Sequence, residues 1–404
     1  MTIALLGTLD TKGDEHDFVG EQIRKRGHKT LLIDVGTGAP PRVQPDITRE
    51  EVAQVAGIDL AALVARNDRG EAVAAMSKAA PVILSKLLAE GKIDGVISLG
   101  GGGGTAIGTA GMRALPLGFP KLMVSTLASG NTAQYVGVKD ILMMPSIVDV
   151  AGLNRISRQI LTRAAGAICG MVEAEPPTQV EDKPIVVASM FGNTTECIQH
   201  AKSVLEDAGY EVLVFHATGT GGRTMESLIE SGLVAGVLDL TTTEWADELV
   251  GGVLGAGPER MDAAAKGGIP TVVAPGCLDM VNFHAPETVP AKFNGRTFYH
   301  HNPQVTLMRT SPEEAAQLGA ILAKKVNAST GPVTVLIPRK ALSIISAPGQ
   351  LFHDPVADEA LFDALRDGLR DDVTLLEIDC EINAPIFSEA CARVLIEQMR
   401  SQAL

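Results

Sequence analysis

Between Ser98 and Thr105 the chain reads Ser-Leu-Gly-Gly-Gly-Gly-Gly-Thr, five consecutive glycines closed by a hydroxyl. Without Cβ atoms such a run leaves its amide N–H groups open to an anion and admits positive φ angles. Gly101, Gly102, Gly103 and Gly104 are therefore candidate ligands of a phosphate or carboxylate. Thr105 is expected to donate its hydroxyl and cap a helix over Ala106–Met112. The run is neither a Gly-x-Gly-x-x-Gly fingerprint nor a P-loop, because the P-loop lysine is missing.

Other polar residues cluster just after apolar runs, where the carboxyl ends of parallel strands present ligands. Thr8, Asp10, Thr11 and Lys12 follow the first run, and Lys12 is a cation able to pair with a phosphate. Asp34 ends the second run, the place where Rossmann-type proteins hold a ribose hydroxyl; a turn aspartate before Gly36 is the equal alternative. Ser125, Thr126, Ser129, Gly130, Asn131 and Thr132 follow a later run with more hydroxyls than a turn requires.

In the second half the glycines give way to Asp239-Leu-Thr-Thr-Thr-Glu244, with Asp247 and Glu248 behind. Asp279, Asn282 and His284 follow another run, and His300 and His301 lie beyond. Glu244, Asp279 or His300 are the candidates for acid–base catalysis. Adjacent histidines in a strand point to opposite faces, so a metal would use one of them with Glu244 or Asp279. There is no Gly-x-Ser-x-Gly elbow and no His-Glu-x-x-His helix. Cys277 reads as a small buried thiol.

The elements that must position these groups alternate short apolar runs with amphipathic stretches, the pattern of a parallel sheet covered by helices. Ile3–Leu6 reads as a strand, Glu15–Arg26 as a helix stopped by Gly27, and Thr30–Ile33 as the next strand. Gly95–Leu99 and Lys121–Ser125 continue the sheet, and a helix runs from about Leu153 to Val172. The proline- and acid-rich stretch after Glu173 predicts a linker. The expected organisation is an N-terminal Rossmann-like domain over 1–174, a linker over 175–184 and a C-terminal Rossmann-like domain over 185–404.

The second half restarts the first. Gly27 and Gly209 lie 182 residues apart, as do Asp34 and His216. Gly91-Lys-Ile-Asp-Gly parallels Gly232-Leu-Val-Ala-Gly at 141, and Pro120-Lys-Leu-Met parallels Pro270-Thr-Val-Val at 150. Three matches in one order predict an internal duplication in an α/β fold.

A net charge of −14 argues against nucleic-acid partners. Five widely spaced cysteines without a Cys-x-x-Cys pair read as reduced thiols. The apolar stretch near Ala164–Val172 is too short for a bilayer, so the chain is expected to avoid membranes and to be cytoplasmic.

The motifs Gly7–Glu15, Ser98–Ile156, Leu238–Gly252, Gly276–Phe283 and His301–Thr310 together carry a resemblance. They look like the family of the tomato mosaic virus resistance protein's N-terminal, ATP-binding domain. The resemblance spans Thr2 to about Asp358 and implies two Rossmann-like subdomains, ATP with Mg²⁺ as ligand, and a homodimer. It lays the nucleotide along Thr8–Lys12, Asp34, Gly101–Thr105 and Ser125–Thr132. Two departures stand out: Ala341 and Ser346 where the family pattern has a glycine and an acid, and His284 where it has a glycine. The functional expectation is an ATP-binding protein, in an active form a slow ATPase or another ATP-using enzyme. The alternative is a catabolic hydrolase or lyase holding a phosphorylated or carboxylated substrate between the halves.

Overall fold

The computed structural model describes residues 1–175 and 182–402. Most of the predicted linker therefore lies outside the described residues. The chain forms two compact units, Met1–Gln179 and Val180–Leu404, and is an α/β fold with two mostly parallel sheets.

The first unit runs β1 (Thr2–Gly7), α1 (Leu9–Arg24), β2 (Lys29–Asp34), α2 (Arg49–Val55), α3 (Leu60–Arg66), α4 (Arg69–Ala89), β3 (Gly95–Gly100), α5 (Gly102–Arg113), β4 (Lys121–Ser125), α6 (Ala133–Val136), β5 (Leu142–Pro145) and α7 (Arg155–Glu173). Its five strands are parallel in the order β2-β1-β3-β4-β5. Alternate side chains feed opposite layers. Ile3, Leu5, Ile97 and Val124 pack with Val19, Ile23, Leu161 and Ile168 of α1 and α7. Ala4, Leu6, Val96 and Met123 pack with Met76, Ile83, Leu84 and Met112 of α4 and α5. Each such side chain contributes about 1.5–3 kcal/mol when fully buried, so both layers are needed to hold the sheet.

Two local expectations change. α1 starts at Leu9, six residues before the predicted Glu15, and is kinked at Lys12 (φ −130°, ψ 24°). Among the described residues α4, rather than Ala164–Val172, is the helix long and apolar enough by composition to cross a membrane. Here its Met76, Ala80, Leu84 and Leu87 are buried within the unit.

The second unit runs β6 (Ile185–Met190), α8 (Thr195–Asp207), β7 (Glu211–His216), α9 (Thr220–Glu230), β8 (Val234–Thr241), α10 (Glu244–Val250), α11 (Asp262–Gly267), β9 (Thr271–Gly276), β10 (Met280–Phe283), β11 (Phe298–Asn302), β12 (Val305–Arg309), α12 (Pro312–Asn327), β13 (Val333–Pro338), α13 (Pro355–Gly368), β14 (Thr374–Ile378) and α14 (Pro385–Gln402). Six parallel strands take the order β14-β13-β9-β8-β6-β7, while β10-β12-β11 form a separate antiparallel sheet. α8 and α14 cover one face through Ile198, Leu205, Phe387 and Leu395, and α12 and α13 cover the other through Leu318, Leu322, Leu361 and Phe362.

The duplication signals map onto equivalent places. Gly27 and Gly209 both leave a helix with positive φ (88° and 96°), and so do Gly91 and Gly232 (63° and 75°). The first four strands of each unit share one order, second-first-third-fourth. The second unit differs by inserting the three-stranded sheet after its fourth strand and adding β13 and β14.

Candidate functional site

In the first unit the strand order reverses between β1 and β3, so the crevice beyond their carboxyl ends is the topological switch point. The turns leaving these two strands are Thr8–Lys12 and Gly101–Gly104. They face a cavity of about 610 Å³. Its walls are Thr8, Asp10, Thr11 and Lys12 from the first turn, Val35, Thr37 and Gly38 after β2, and Gly101–Gly104 with Ile107 on α5. Thr126, Asp149 and the α3–α4 segment, Leu63 to Val73, complete it.

The glycine run is not the wrapping loop expected from sequence. Gly100 ends β3, Gly101 is the N-cap with φ −87°, and Gly102–Gly104 form the first turn of α5. None of them has positive φ. The first intrahelical bond is Thr105 N–H to the Gly101 carbonyl at 2.8 Å, so the preceding amides lack helical acceptors and point out of the helix end. The glycines serve two different ends. A Cβ at Gly100 would stand 2.8 Å from the Gly104 Cα, so there the backbone itself is too close. A Cβ on exposed Gly102 would meet nothing within 4 Å, so packing alone does not explain that glycine.

Several predicted ligands are structural instead. Thr105 and Ser125 are fully buried, their hydroxyls bonded to each other at 2.6 Å, and Ser125 also accepts the Leu127 amide. This pair locks α5 to the end of β4, and neither residue lines the larger cavity. Asp34 is 1% exposed and its Oδ1 accepts the amides of Leu9 (3.1 Å) and Gly36 (2.8 Å). Burial pushes its carboxyl above the ordinary aspartate range against those two amides. Asp34 thus pins the first turn to the end of β2, and Thr37 and Gly38 take the place beside the cavity that it was expected to fill. Lys12 lines the cavity, but its ammonium donates to the Val150 carbonyl at 2.6 Å. Asp10 accepts the Gly38 amide at 2.8 Å through Oδ2, while its buried Oδ1 has no partner among the described residues. Beyond Thr126, Asn131 caps the short α6 through the Ala133 amide. Gly130 closes a turn with its amide on the Leu127 carbonyl, and Thr132 accepts the Tyr135 and Val136 amides at its own carbonyl. Ser129 lines a smaller neighbouring cavity.

Residues missed in the sequence are those of α3 and α4. Leu63 and Val64 give an apolar wall, Asn67 adopts φ 49°, and Arg69 stands exposed on the cavity wall. The available signal was Asn67-Asp68-Arg69-Gly70, a polar break between two apolar periodic stretches. Asp149 was missed as well.

The acid–base candidates of the second unit lie in its interior or on an open edge. Arg260, 2% exposed, makes a bidentate pair with Asp239 (2.6 and 2.7 Å), donates to Glu244 Oε2 at 2.8 Å and reaches Glu226 at 3.2 Å. Burial opposes the charge on Arg260, but these three carboxylates together hold its pKa well above the ordinary value. Glu244 Oε1 accepts the amides of Gly219 and Gly222 at the start of α9. Three of the roughly four lone-pair sites of the carboxylate are thus engaged, and Glu244 is a buried clamp between Arg260 and the start of α9. Asp279 is fully buried, with Oδ2 accepting from Ser343 at 2.7 Å and Oδ1 orphaned. Ser346, in place of the family's acid, accepts the amides of Leu342 and Ser343. His300 sits exposed on β11 opposite Thr306, and His301 is also exposed. Among the described residues no three of His, Cys, Asp and Glu form a metal-holding group.

The switch point of this unit lies between β6 and β8. It is packed shut: Thr194 and Thr241 share a hydroxyl bond at 2.8 Å, and Phe191 packs on Cys277, Met280, Ile345 and Phe352.

Family models of the "Uncharacterised protein family (UPF0261)" match the N-terminal domain over residues 1–177 and the C-terminal domain over 183–399. The chain belongs to the UPF0261 family. It is 50% identical over 398 residues to a UPF0261 protein of Clostridium tetani, covering 98% of each. It is also 40% identical over 376 residues to the ToMV resistance protein Tm-1(GCR237) of Solanum lycopersicum, covering 88% of this chain and 50% of that protein. The tomato proteins are thus relatives, as the motifs suggest, but the family is UPF0261 and not one defined by ATP binding or resistance. Among solved structures, the UDP-N-acetylglucosamine 2-epimerase of Rickettsia bellii covers 99% of the chain at 10% identity and a TM-score of 0.23, too distant to bear on the site.

Proposed function

We propose that the first unit binds a nucleotide, ATP with Mg²⁺, in the cavity between Thr8–Lys12 and α5. The observation that supports this most is the amphipathic layout of one space. The unshielded amides of Gly102–Gly104 and the positive end of α5 suit a phosphate chain. Val35, Leu63, Val64, Ala72 and Val73 give an apolar wall suited to a base. Thr37 and Gly38, just after β2, stand where a ribose would lie.

Asp10 and Asp149 fit a magnesium ion carried on the phosphates, since Asp10 Oδ1 is buried and unpartnered and Asp149 is exposed on the same cavity. Mg²⁺ keeps several waters and needs only one or two carboxylates beside phosphate oxygens. Once bound it would neutralise charge on the phosphate chain. These acids disfavour the alternative of a bare phosphorylated or carboxylated metabolite, which they would repel without a cation.

Calorimetric titration with Mg-ATP tests the reading, set beside inorganic phosphate and a carboxylate such as citrate. Binding of Mg-ATP that weakens in EDTA supports it; no adenine nucleotide binding at millimolar concentration refutes it. The homodimer implied by kinship is a separate part of the same reading, and sedimentation equilibrium tests it.

A further inference from the structure

Beyond Thr126 and Asp149 the first unit holds a second cavity of about 320 Å³, lined by Ser125, Thr126, Ser129, Pro145, Ser146, Ile147, Val148 and Asp149. Thr126 and Asp149 line both cavities, so the two spaces adjoin. The volume falls within the roughly 300–1,000 Å³ of small-molecule sites.

Its chemistry differs from that of its neighbour. No lining residue is a cation, and one is a carboxylate, so a second anion is disfavoured. Exposed Thr126 and Ser129 present hydroxyls, while Pro145, Ile147 and Val148 offer C–H surface. Hydroxyls and a carboxylate beside an apolar strip match a small neutral molecule with O–H groups on its edge and C–H groups on its face. Ile147, β-branched and 71% exposed, is held at φ 66° in a tight turn closed by the Val148 amide on the Ser146 carbonyl (2.8 Å) and by the Ser146 hydroxyl on the Val148 carbonyl (2.6 Å), which fixes this wall of the cavity.

We propose that this second cavity seats a neutral polyol or sugar whose hydroxyl receives the terminal phosphoryl group of the nucleotide. The inference rests on the nucleotide reading above. In the step, the acceptor oxygen forms a bond to the γ-phosphorus. The bond from that phosphorus to its bridging oxygen breaks, and the electron pair leaves with ADP. The acceptor's proton passes to solvent water at the open edge of the cavity, where Thr126 and Ser129 are exposed. The products are a phosphorylated acceptor and ADP.

The test uses the full chain with Mg-ATP and a panel of glycerol, ribose, glucose and myo-inositol, following ADP release and phosphorylated product by mass spectrometry. One panel member should raise ADP release by at least about tenfold, as a positioned acceptor does, and should appear as its monophosphate. The same member should bind by calorimetry in the presence of a non-hydrolysable ATP analogue. Ser129→Trp, which fills the second cavity from an exposed position, should abolish both signals. Its Mg-ATP affinity should stay within about twofold, as for a surface substitution. If Mg-ATP binds but no panel member binds or is phosphorylated, this proposal is overturned and the nucleotide reading stands. Polyol signals that persist in Ser129→Trp place the acceptor elsewhere and also overturn it. If Mg-ATP does not bind at all, both readings fail.

Discussion

The two units start from the same four-strand plan and finish it in opposite ways. In the first, the crevice between the first and third strands opens into a cavity of about 610 Å³. In the second, the same crevice is filled by the threonine pair Thr194 and Thr241 and by Phe191 against Met280 and Phe352. The helix ends differ as well, although α5 follows the third strand of its unit and α9 the second. At α5 the leading amides have no helical acceptor, whereas at α9 the amides of Gly219 and Gly222 already hold the Glu244 carboxylate. The second unit carries its own anion, covalently attached and neutralised by Arg260. The comparison teaches that duplicated topology alone does not give a site; what matters is whether the switch point is left open.

The largest effect should come from breaking the built-in ion cluster. Arg260→Met leaves Asp239, Glu244 and Glu226 buried without their partner, and should cost about 3–5 kcal/mol of second-unit stability. Chemical denaturation followed at the single Trp245, which lies in this unit, reads that loss directly. Nucleotide binding to the first unit should persist at temperatures below the new transition.

The next tests separate the two kinds of glycine. Gly100→Ala forces a Cβ against the backbone of Gly104 and should destabilise the first unit by about 1–3 kcal/mol, measured by thermal unfolding. Gly102→Ala meets open space and relieves a poor helix former, so it should be neutral or stabilising by up to about 1 kcal/mol. Equal losses from both would mean that the glycine run is only a packing device.

A pH measurement sharpens the account of the second unit's interior. Burial pushes Asp247 up to about 7, against the bonds it accepts from Asn282 and Leu254, and pushes Asp358 up to about 6 despite Arg309. A raised carboxyl means that the folded chain binds more protons than the unfolded one between the ordinary aspartate pKa and those values. Its stabilising contribution is therefore present below about pH 4 and fades as pH rises toward 7. Asp247→Asn should flatten that decline in denaturation experiments across the window.

Much of the frame was legible in the sequence. Short apolar runs placed Lys121–Ser125 to the residue, and the 182-residue spacing matched β2 with β7 because strand ends and glycine stops obey local chemistry. The glycine run reads as a loop in the sequence, yet it ends β3 and begins α5. Five glycines disfavour a helix locally, but Gly108 and Gly111 let α5 approach Ser98 and Leu84 closely, and that packing overrides propensity. Asp34, Thr105, Ser125, Glu244 and Asp279 were legible as polar residues after strands. Their burial was not, since it depends on partners such as Arg260 and Ser343 that lie far away in sequence. The wall from α3 and α4 was invisible for the same reason: Leu63 and Val64 are ordinary helix residues until the fold carries them over the sheet edge.

The proposed nucleotide site is the open switch point of the first unit, built on α5. Isothermal titration of Mg-ATP into the wild-type chain and into Gly102→Val tests it most directly, because the substitution occupies the cradle without touching the core. Clear binding to the wild type is expected, with a loss of at least about a hundredfold, roughly 2.7 kcal/mol, in the variant and an unchanged unfolding temperature. Unchanged affinity in a folded Gly102→Val chain would contradict it.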